Sequence, residues 1–270
     1  SVVRRPTLFP VPALALRGEV LDEGPRWPFH LRPGVPFHDG RPFSATDVAW
    51  TFNTILDGSV ATSKRGAITA LTSVVAVAPL IVDFRLQQPF GSLLAELGSG
   101  LAIVPQGMTP EEMNRHPIGT GAFRFLELSA DTVTLVPFAE AWQGPPRISR
   151  LILKEVPEAT VRALELRKGS VQMLINDLPP DALPAFRADP QYRVVESPSA
   201  SFAYLGFKMD DPVLRDLRVR QAIAMGVDRP LLVRTLWRGL GTVSETIFPP
   251  GLWARHDALP AIPYDPQAAI

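Results

Sequence analysis

His30 to Phe52 reads HLRPGVPFHDGRPFSATDVAWTF, and the fold turns on how this stretch is understood. Just ahead of it Trp27, Phe29 and Leu31 alternate with polar or small residues, the period of a half-buried strand. Arg32-Pro33-Gly34 turns the chain, and Asp39-Gly40 supplies a second turn. Ser44 then reads as a helix N-cap with Asp47 three residues on, an acidic variant of the capping box. We expect Ser44 to accept a hydrogen bond from the backbone N–H of Thr46 or Asp47. Val48, Phe52, Ile55 and Leu56 fall on one helical face, and Gly58 ends the helix. The reading is strand, two turns and a capped amphipathic helix.

The pair His38-Asp39 sits inside this stretch and raises the question of catalysis. A metal or acid–base pair needs convergent partners, yet no second histidine or glutamate stands at ligand spacing. Asp39-Gly40 is a turn pair, so the pair reads as a corner.

The chain of 270 residues is long enough for one large or two ordinary domains, and 46% of it is hydrophobic. Basic and acidic residues balance at 27 each, which argues against a nucleic-acid surface. Only four of the basic residues are lysine, and 29 residues are proline, a pattern of biased base composition. The absence of cysteine excludes a thiol nucleophile, a disulfide framework and a zinc–thiolate site. No apolar run reaches the ~18 residues that span a membrane. The first residues lack the apolar core of a signal peptide, so the expectation is a cytosolic protein or one whose leader has been removed.

Further along, a hairpin is expected with Val75 and Val77 on one arm and Val82, Phe84 and Leu86 on the other, broken at Pro79-Leu80. A short helix follows over Leu93 to Leu97. PEEMNRHPIGTGAF marks a boundary of prolines and polar turns, after which strands are expected at Ala122 to Leu128 and Thr132 to Pro137. From Leu151 the order becomes strand (to Val156), helix (about Thr160 to Gly169), strand (Val171 to Ile175) and helix (Pro179 to Phe186). Strands at Val194-Val195 and Phe202 to Phe207 come next. Asp216 caps a helix presenting Val219, Ala222 and Ile223. Asp228 caps another, with Leu232, Val233, Leu236 and Trp237 inward. The class is α/β, in two packed parts.

Other features have bland readings. Gly119-Thr120-Gly121 lacks the Lys-Ser/Thr and following helix of a phosphate loop, and reads as a tight turn. Glu111-Glu112 and Asp210-Asp211 read as solvated surface, and Asp181 sits near a helix start where a carboxylate suits the dipole. Arg218 and Arg220 could clamp an anion, but flanking an apolar stripe they read as solvent-facing.

The motifs together resemble the family 5 extracellular solute-binding proteins, the peptide- and nickel-binding components of ABC importers. FHLRPGVPFHDGRPFSATDVAWTF is similar to their signature. HPIGTGAFRF (His116 to Phe125), ATVRALELRKGSVQMLIN (Ala159 to Asn176), DLRVRQAIAMGVDRPLLVRTLWRGLG (Asp216 to Gly241) and IPYDPQAA (Ile262 to Ala269) follow in the family's order. The resemblance implies a periplasmic-binding-protein type II-like lobe, with mixed sheets, flanking helices and a second lobe largely missing. It implies a base domain from 1–23 and 117–246, a smaller inserted domain over 24–116, and a hinge and start of the second lobe over 247–270. It also makes His38-Asp39 a structural corner.

By the same resemblance the ligand-binding residues are Tyr204, Phe207, Lys208, Met209 and Phe248, with no catalytic or metal residue and no cofactor. Lys208 departs from the usual asparagine; facing the cleft, it would favour a ligand carboxylate or other anion. Gln172-Met173 stands where members usually carry an acidic residue. The implied function is capture of an oligopeptide or dipeptide for a membrane ABC permease, in the periplasm or outside the cell; the protein is not an enzyme and binds no nucleic acid. The alternatives are the ligand-sensing module of a transcriptional regulator, or a binder of a nickel chelate, sugar or opine on the same scaffold. With one lobe, tight peptide binding is not expected, and self-association through the exposed cleft face is.

Overall fold

The computed structural model describes residues 3–4, 10–175, 178–197, 199, 201–250, 252, 254–256 and 258–270. The chain divides into two compact units, Ser1–Glu155 and Val156–Ile270.

In the first unit, β1 (Val3–Arg4) pairs with β2 (Val11–Pro12). A four-stranded antiparallel sheet follows, built from β3 (Ala15–Gly18), β4 (Arg26–Leu31), β5 (Leu71–Ala78) and β6 (Ile81–Leu86) in the order β3-β4-β6-β5. Alternation decides which side is covered. Phe29 and Leu31 of β4 and Val82, Phe84 and Leu86 of β6 all point inward and are buried. On β5 the buried residues are Leu71 and Val74, whereas Val77 faces out and is 60% exposed. Asp83, on the outer side of β6, is nonetheless buried because Arg26 and Arg85 both close over its Oδ2, at 2.9 and 3.3 Å.

Helix α1 (Ala45–Leu56) lies on the inner face, where Phe52 meets Phe84 edge-on at 5.0 Å and Phe29 meets the same ring at 5.2 Å. Such pairs add to the area they bury. Asp57 caps its end and Gly58 follows at φ 89°, a conformation that suits glycine. At its start Ser44 and Asp47 form a capping box, but the firm arm is the reverse of the one expected: Ser44 N donates to Asp47 Oδ2 at 2.8 Å. The Ser44 hydroxyl donates to the same oxygen at 2.9 Å. Asp47 gains this role because its other oxygen accepts the amide of Gln106 at 2.9 Å, fixing the carboxylate between two segments.

After a 3-10 turn over Ser63–Ile68, short helices α2 (Leu93–Leu97) and α3 (Pro110–Arg115) follow the sheet in sequence. Helix α3 stands where only polar turns were expected. Its signal was in the sequence: Thr109-Pro110-Glu111-Glu112 is a capping box with proline in the first turn, and Thr109 Oγ1 accepts from Glu112 N while Glu112 Oε2 accepts from Thr109 N. A second, antiparallel sheet carries β7 (Phe123–Leu128), β8 (Thr132–Pro137) and β9 (Leu151–Lys154) in that order.

The stretch 1–23, expected in the base domain, contributes β3 to the sheet formed by 26–86 instead. The reason is contact: a Cβ on Gly18 would meet the Phe29 ring at 2.5 Å, so β3 lies flush on a core residue.

The second unit carries α4 (Ala159–Lys168), α5 (Leu183–Ala188), α6 (Leu217–Gly226) and α7 (Arg229–Thr235). Asp216 and Asp228 cap α6 and α7 as expected, accepting from Arg218 N at 2.9 Å and Leu231 N at 2.8 Å. Pro179-Pro180 form a turn, and the helix begins four residues later than expected. No strand forms over 171–175, 194–195 or 202–207. Alternation marks a segment able to pair, and these find no ladder partner among the described residues. Of the residues expected inward, Val233 is half-buried, but Leu232, Leu236 and Trp237 are exposed by 40%, 65% and 48%, since no described residue of this unit covers their stripe. The buried apolar residues here are Ala163 and Phe186 among the described residues; the Phe186 ring packs edge-on against Tyr192 at 4.8 Å.

Asp47→Ala should therefore destabilise the first unit by about 2 kcal/mol, because it removes the acceptor of the Gln106 amide as well as the cap, whereas Ser44→Ala should cost ~1 kcal/mol. Urea denaturation of both variants checks this order; equal losses would show that Gln106 finds another acceptor.

Candidate functional site

Phe202 to Met209 runs irregularly toward α6. Phe202 and Tyr204 lie 5.3 Å apart, their rings tilted at 35°, and Tyr204 is 77% exposed. The Tyr204 ring covers Gly206, where a Cβ would stand 3.5 Å from its Cε2. Phe207 is half-buried, and Met209 is exposed. The Lys208 ammonium stands 3.5 Å from Asp210, both side chains largely in water, so the pair constrains Lys208 little.

The segment that follows is tightly built. Lys208 O accepts from Asp211 N, and Asp211 Oδ1 accepts from Val213 N and Leu214 N at 2.8 and 3.0 Å, an Asx turn leading to α6. Asp210-Asp211 is thus a turn and not an acid pair. Arg218 is spent on Asp216 at 2.7 Å, and that hydrogen bond holds the Asp216 carboxyl below its usual range. Arg220 donates to the carbonyls of Leu214 and Arg215 at 2.9 and 2.8 Å. Neither arginine is a free anion clamp.

Phe248 sits in a separate loop. Its amide donates to Thr246 Oγ1 at 3.2 Å, and its carbonyl accepts from Arg255 at 2.7 Å. Among the described residues no hydrogen bond, ion pair or ring contact joins Phe248 to 204–209. Tyr204, Phe207, Lys208 and Met209 thus share one short segment, and Phe248 stands in another stretch of the chain. What they present is an open wall of aromatic and sulfur surface with one cation.

Two cavities lie in the first unit. One, of about 420 Å³, is bordered by Arg41, Glu112, Arg115 and His116; the other, about 290 Å³, lies beside the β7–β8 turn and β9. The first was not legible from sequence, because its cations come from a turn and a helix some 70 residues apart.

The corner reading of His38-Asp39 is met by its contacts. Asp39 accepts from Arg41 N at 3.1 Å and Arg41 Nε at 2.7 Å, closing its own turn. Both imidazole nitrogens of His38 bond to the backbone of Gly119 and Gly121. The Gly119-Thr120-Gly121 turn thereby gives its polar groups to His38. Among the described residues no three His, Asp or Glu side chains converge as a metal site.

The profile of the bacterial extracellular solute-binding proteins, family 5, middle region, matches residues 10–270. Haem-binding protein A of Haemophilus influenzae is 28% identical over 96% of this chain and 52% of its own length. The dipeptide-binding protein of Escherichia coli is likewise 28% identical, over 96% of this chain and 53% of its own. Among solved structures, NikZ of Campylobacter jejuni in complex with Ni(L-His) superimposes with a TM-score of 0.86 at 24% identity, covering 99% of this chain and 55% of NikZ, a likeness of fold. The chain spans about half the length of the curated relatives it matches.

His30, His38, His116 and His256 are expected to hold no metal: His38 has no free nitrogen, His30 Nε2 lies 3.7 Å from Glu19, and His116 packs edge-on to Phe125 at 5.5 Å. Elemental analysis of the purified chain without added solute should find zinc and nickel well below one equivalent, and a stoichiometric value would overturn this.

Proposed function

Because the chain belongs to the family 5 bacterial extracellular solute-binding proteins, we propose that it captures a small peptide for import through a membrane ABC permease, in the periplasm or at the cell exterior. The family is one of solute-binding proteins and not of enzymes. Among the described residues no helix is long and apolar enough to cross a membrane. The dipeptide-binding relative supports peptide as the solute. The Ni(L-His) complex of NikZ keeps a metal chelate as the second reading.

The observation that carries the site is the exposed segment Tyr204 to Met209, with an aromatic ring beside a lysine whose ion pair with Asp210 is solvent-screened. In this reading Tyr204, Phe207 and Met209 contact the peptide's apolar surface, Lys208 meets its terminal carboxylate, and Phe248 completes the wall. The three-way division into base domain, inserted domain and hinge belongs to the same reading, with β3 moved to the inserted domain. So does self-association through the face around Tyr204, Phe207 and Phe248, which sedimentation at rising concentration would detect as growing mass.

An open wall leaves much of a ligand in water, so the 270 residues alone should bind peptides more weakly than micromolar. Titration of labelled chain with di- and tripeptides should shift the amides of 204–209 and of Phe248. Lys208→Ala, or amidating the peptide's C-terminus, should each weaken binding about tenfold or more, without adding, because they delete the same charge-assisted bond. Shifts confined to the first unit, additive losses, or micromolar binding by the chain would each overturn the site.

A further inference from the structure

His38 sits at the tip of a small hairpin, and its contacts specify one protonation state. Phe37 N donates to Arg41 O at 2.8 Å and Gly40 N to Phe37 O at 2.9 Å, with Gly40 at φ 86°. From this tip His38 reaches the strap that leads into β7. Its backbone N donates to Gly119 O at 2.9 Å, its Nδ1 lies 3.2 Å from Gly119 N, and its Nε2 lies 3.0 Å from Gly121 O. An amide nitrogen can only donate and a carbonyl oxygen can only accept. Nδ1 must therefore be bare and Nε2 must carry the hydrogen.

We propose that His38 is a pH-operated clasp: the neutral ring latches the corner hairpin onto the 119–121 strap, and the ring protonated at Nδ1 releases Gly119. A proton taken from solvent onto Nδ1 would set an N–H against the Gly119 N–H at 3.2 Å, and two donors cannot share that position. Either the ring or the strap must move. The hairpin leads through Ser44 into α1, and the strap leads into β7, so release removes one tie between the segments that enter them, while the bond from His38 N to Gly119 O remains.

The groups packed around the ring come from three directions. Asp39, on the same turn, favours the charged form but is already paired with Arg41. Arg124 of β7 and His116 after α3 oppose it, and the Phe138 ring meets the imidazole edge-on at 5.1 Å. Burial, first, and these like charges lower the pKa of His38. A depressed histidine stabilises the fold above its unfolded value of about 6.5, and that contribution is lost as pH falls through the folded value.

The test uses the whole chain labelled with nitrogen-15, from pH 8 to pH 5. At pH 8 long-range ring correlations should show Nε2 protonated and Nδ1 bare. As pH falls below about 6.5, where the opened ring takes up its proton, exchange protection at Gly119 should fall by up to about tenfold per pH unit, the limit for one linked proton. Protection at Gly40, whose bond runs to a backbone carbonyl in the same turn, should stay flat. In His38→Gln the step at Gly119 should vanish; if that variant does not fold, the wild-type titration decides alone. An Nδ1–H tautomer at pH 8, flat protection at Gly119, or a step that follows the midpoint of His116 would overturn the clasp.

Discussion

Three polar side chains of helix α1, Asp47, Thr51 and Asn53, bond to backbone outside the helix, and the first unit is arranged around what they hold. Asp47 takes Ser44 N and Gln106 N, one with each oxygen. Thr51 Oγ1 accepts from Val104 N and donates to Val104 O, both at 3.2 Å. Asn53 faces β5 as a second backbone would, donating to Val74 O at 2.8 Å and accepting from Val74 N at 3.0 Å. Apolar burial of Val48, Phe52 and Ile55 supplies most of the attraction, but it is indifferent to small slides of the helix. The hydrogen bonds are not. Shifting α1 by one residue would orphan the amides of Gln106, Val104 and Val74 together, each at a cost comparable to a lost buried bond.

Asn53 also explains a feature of the sheet. The pairing of β5 with β6 slips between Leu71 and Ser73 and again between Ala76 and Ala78. A slipped strand leaves backbone groups without ladder partners, and the Asn53 amide meets those of Val74 between the two slips. The carboxamide is therefore part of the sheet's hydrogen bonding, contributed by a helix.

The legible parts of the fold are those whose partners are near in sequence. The α1 stripe, the β5–β6 and β7–β8 hairpins and the aspartate caps of α6 and α7 follow from periodicity and local chemistry, and the structure has them within a few residues. Long-range facts were not legible. Nothing local to Ala15–Gly18 says that it will pair with β4, because the signal is a steric match between Gly18 and Phe29. The same holds for 202–207: alternation recorded a readiness to pair, and the inward reading of α7 recorded an apolar stripe, but neither can say whether a partner covers it. The site was legible only so far as the segment; that Lys208 faces Asp210 while Arg218 and Arg220 are committed to Asp216 and to carbonyls is geometry that spacing does not encode.

These two kinds of failure have one physical origin and divide the chain the same way. In the first unit, apolar stripes meet across short loops, so burial and sequence pattern agree and the side chains of Phe29, Phe52 and Phe84 are almost wholly enclosed. In the second, the patterned residues Tyr204, Leu205, Leu236 and Trp237 remain open, and the segments are held by backbone devices: Asp211 in its turn, Arg220 on two carbonyls, Arg229 on Glu245 and Ile262 O. Such devices fix the path of a chain without burying it. A binding wall requires that combination, because the side chains meant for a ligand must stay uncovered while the backbone presenting them keeps its shape. The exposure that defeated the strand assignment at 202–207 is the same property that makes Tyr204 to Met209 a candidate site.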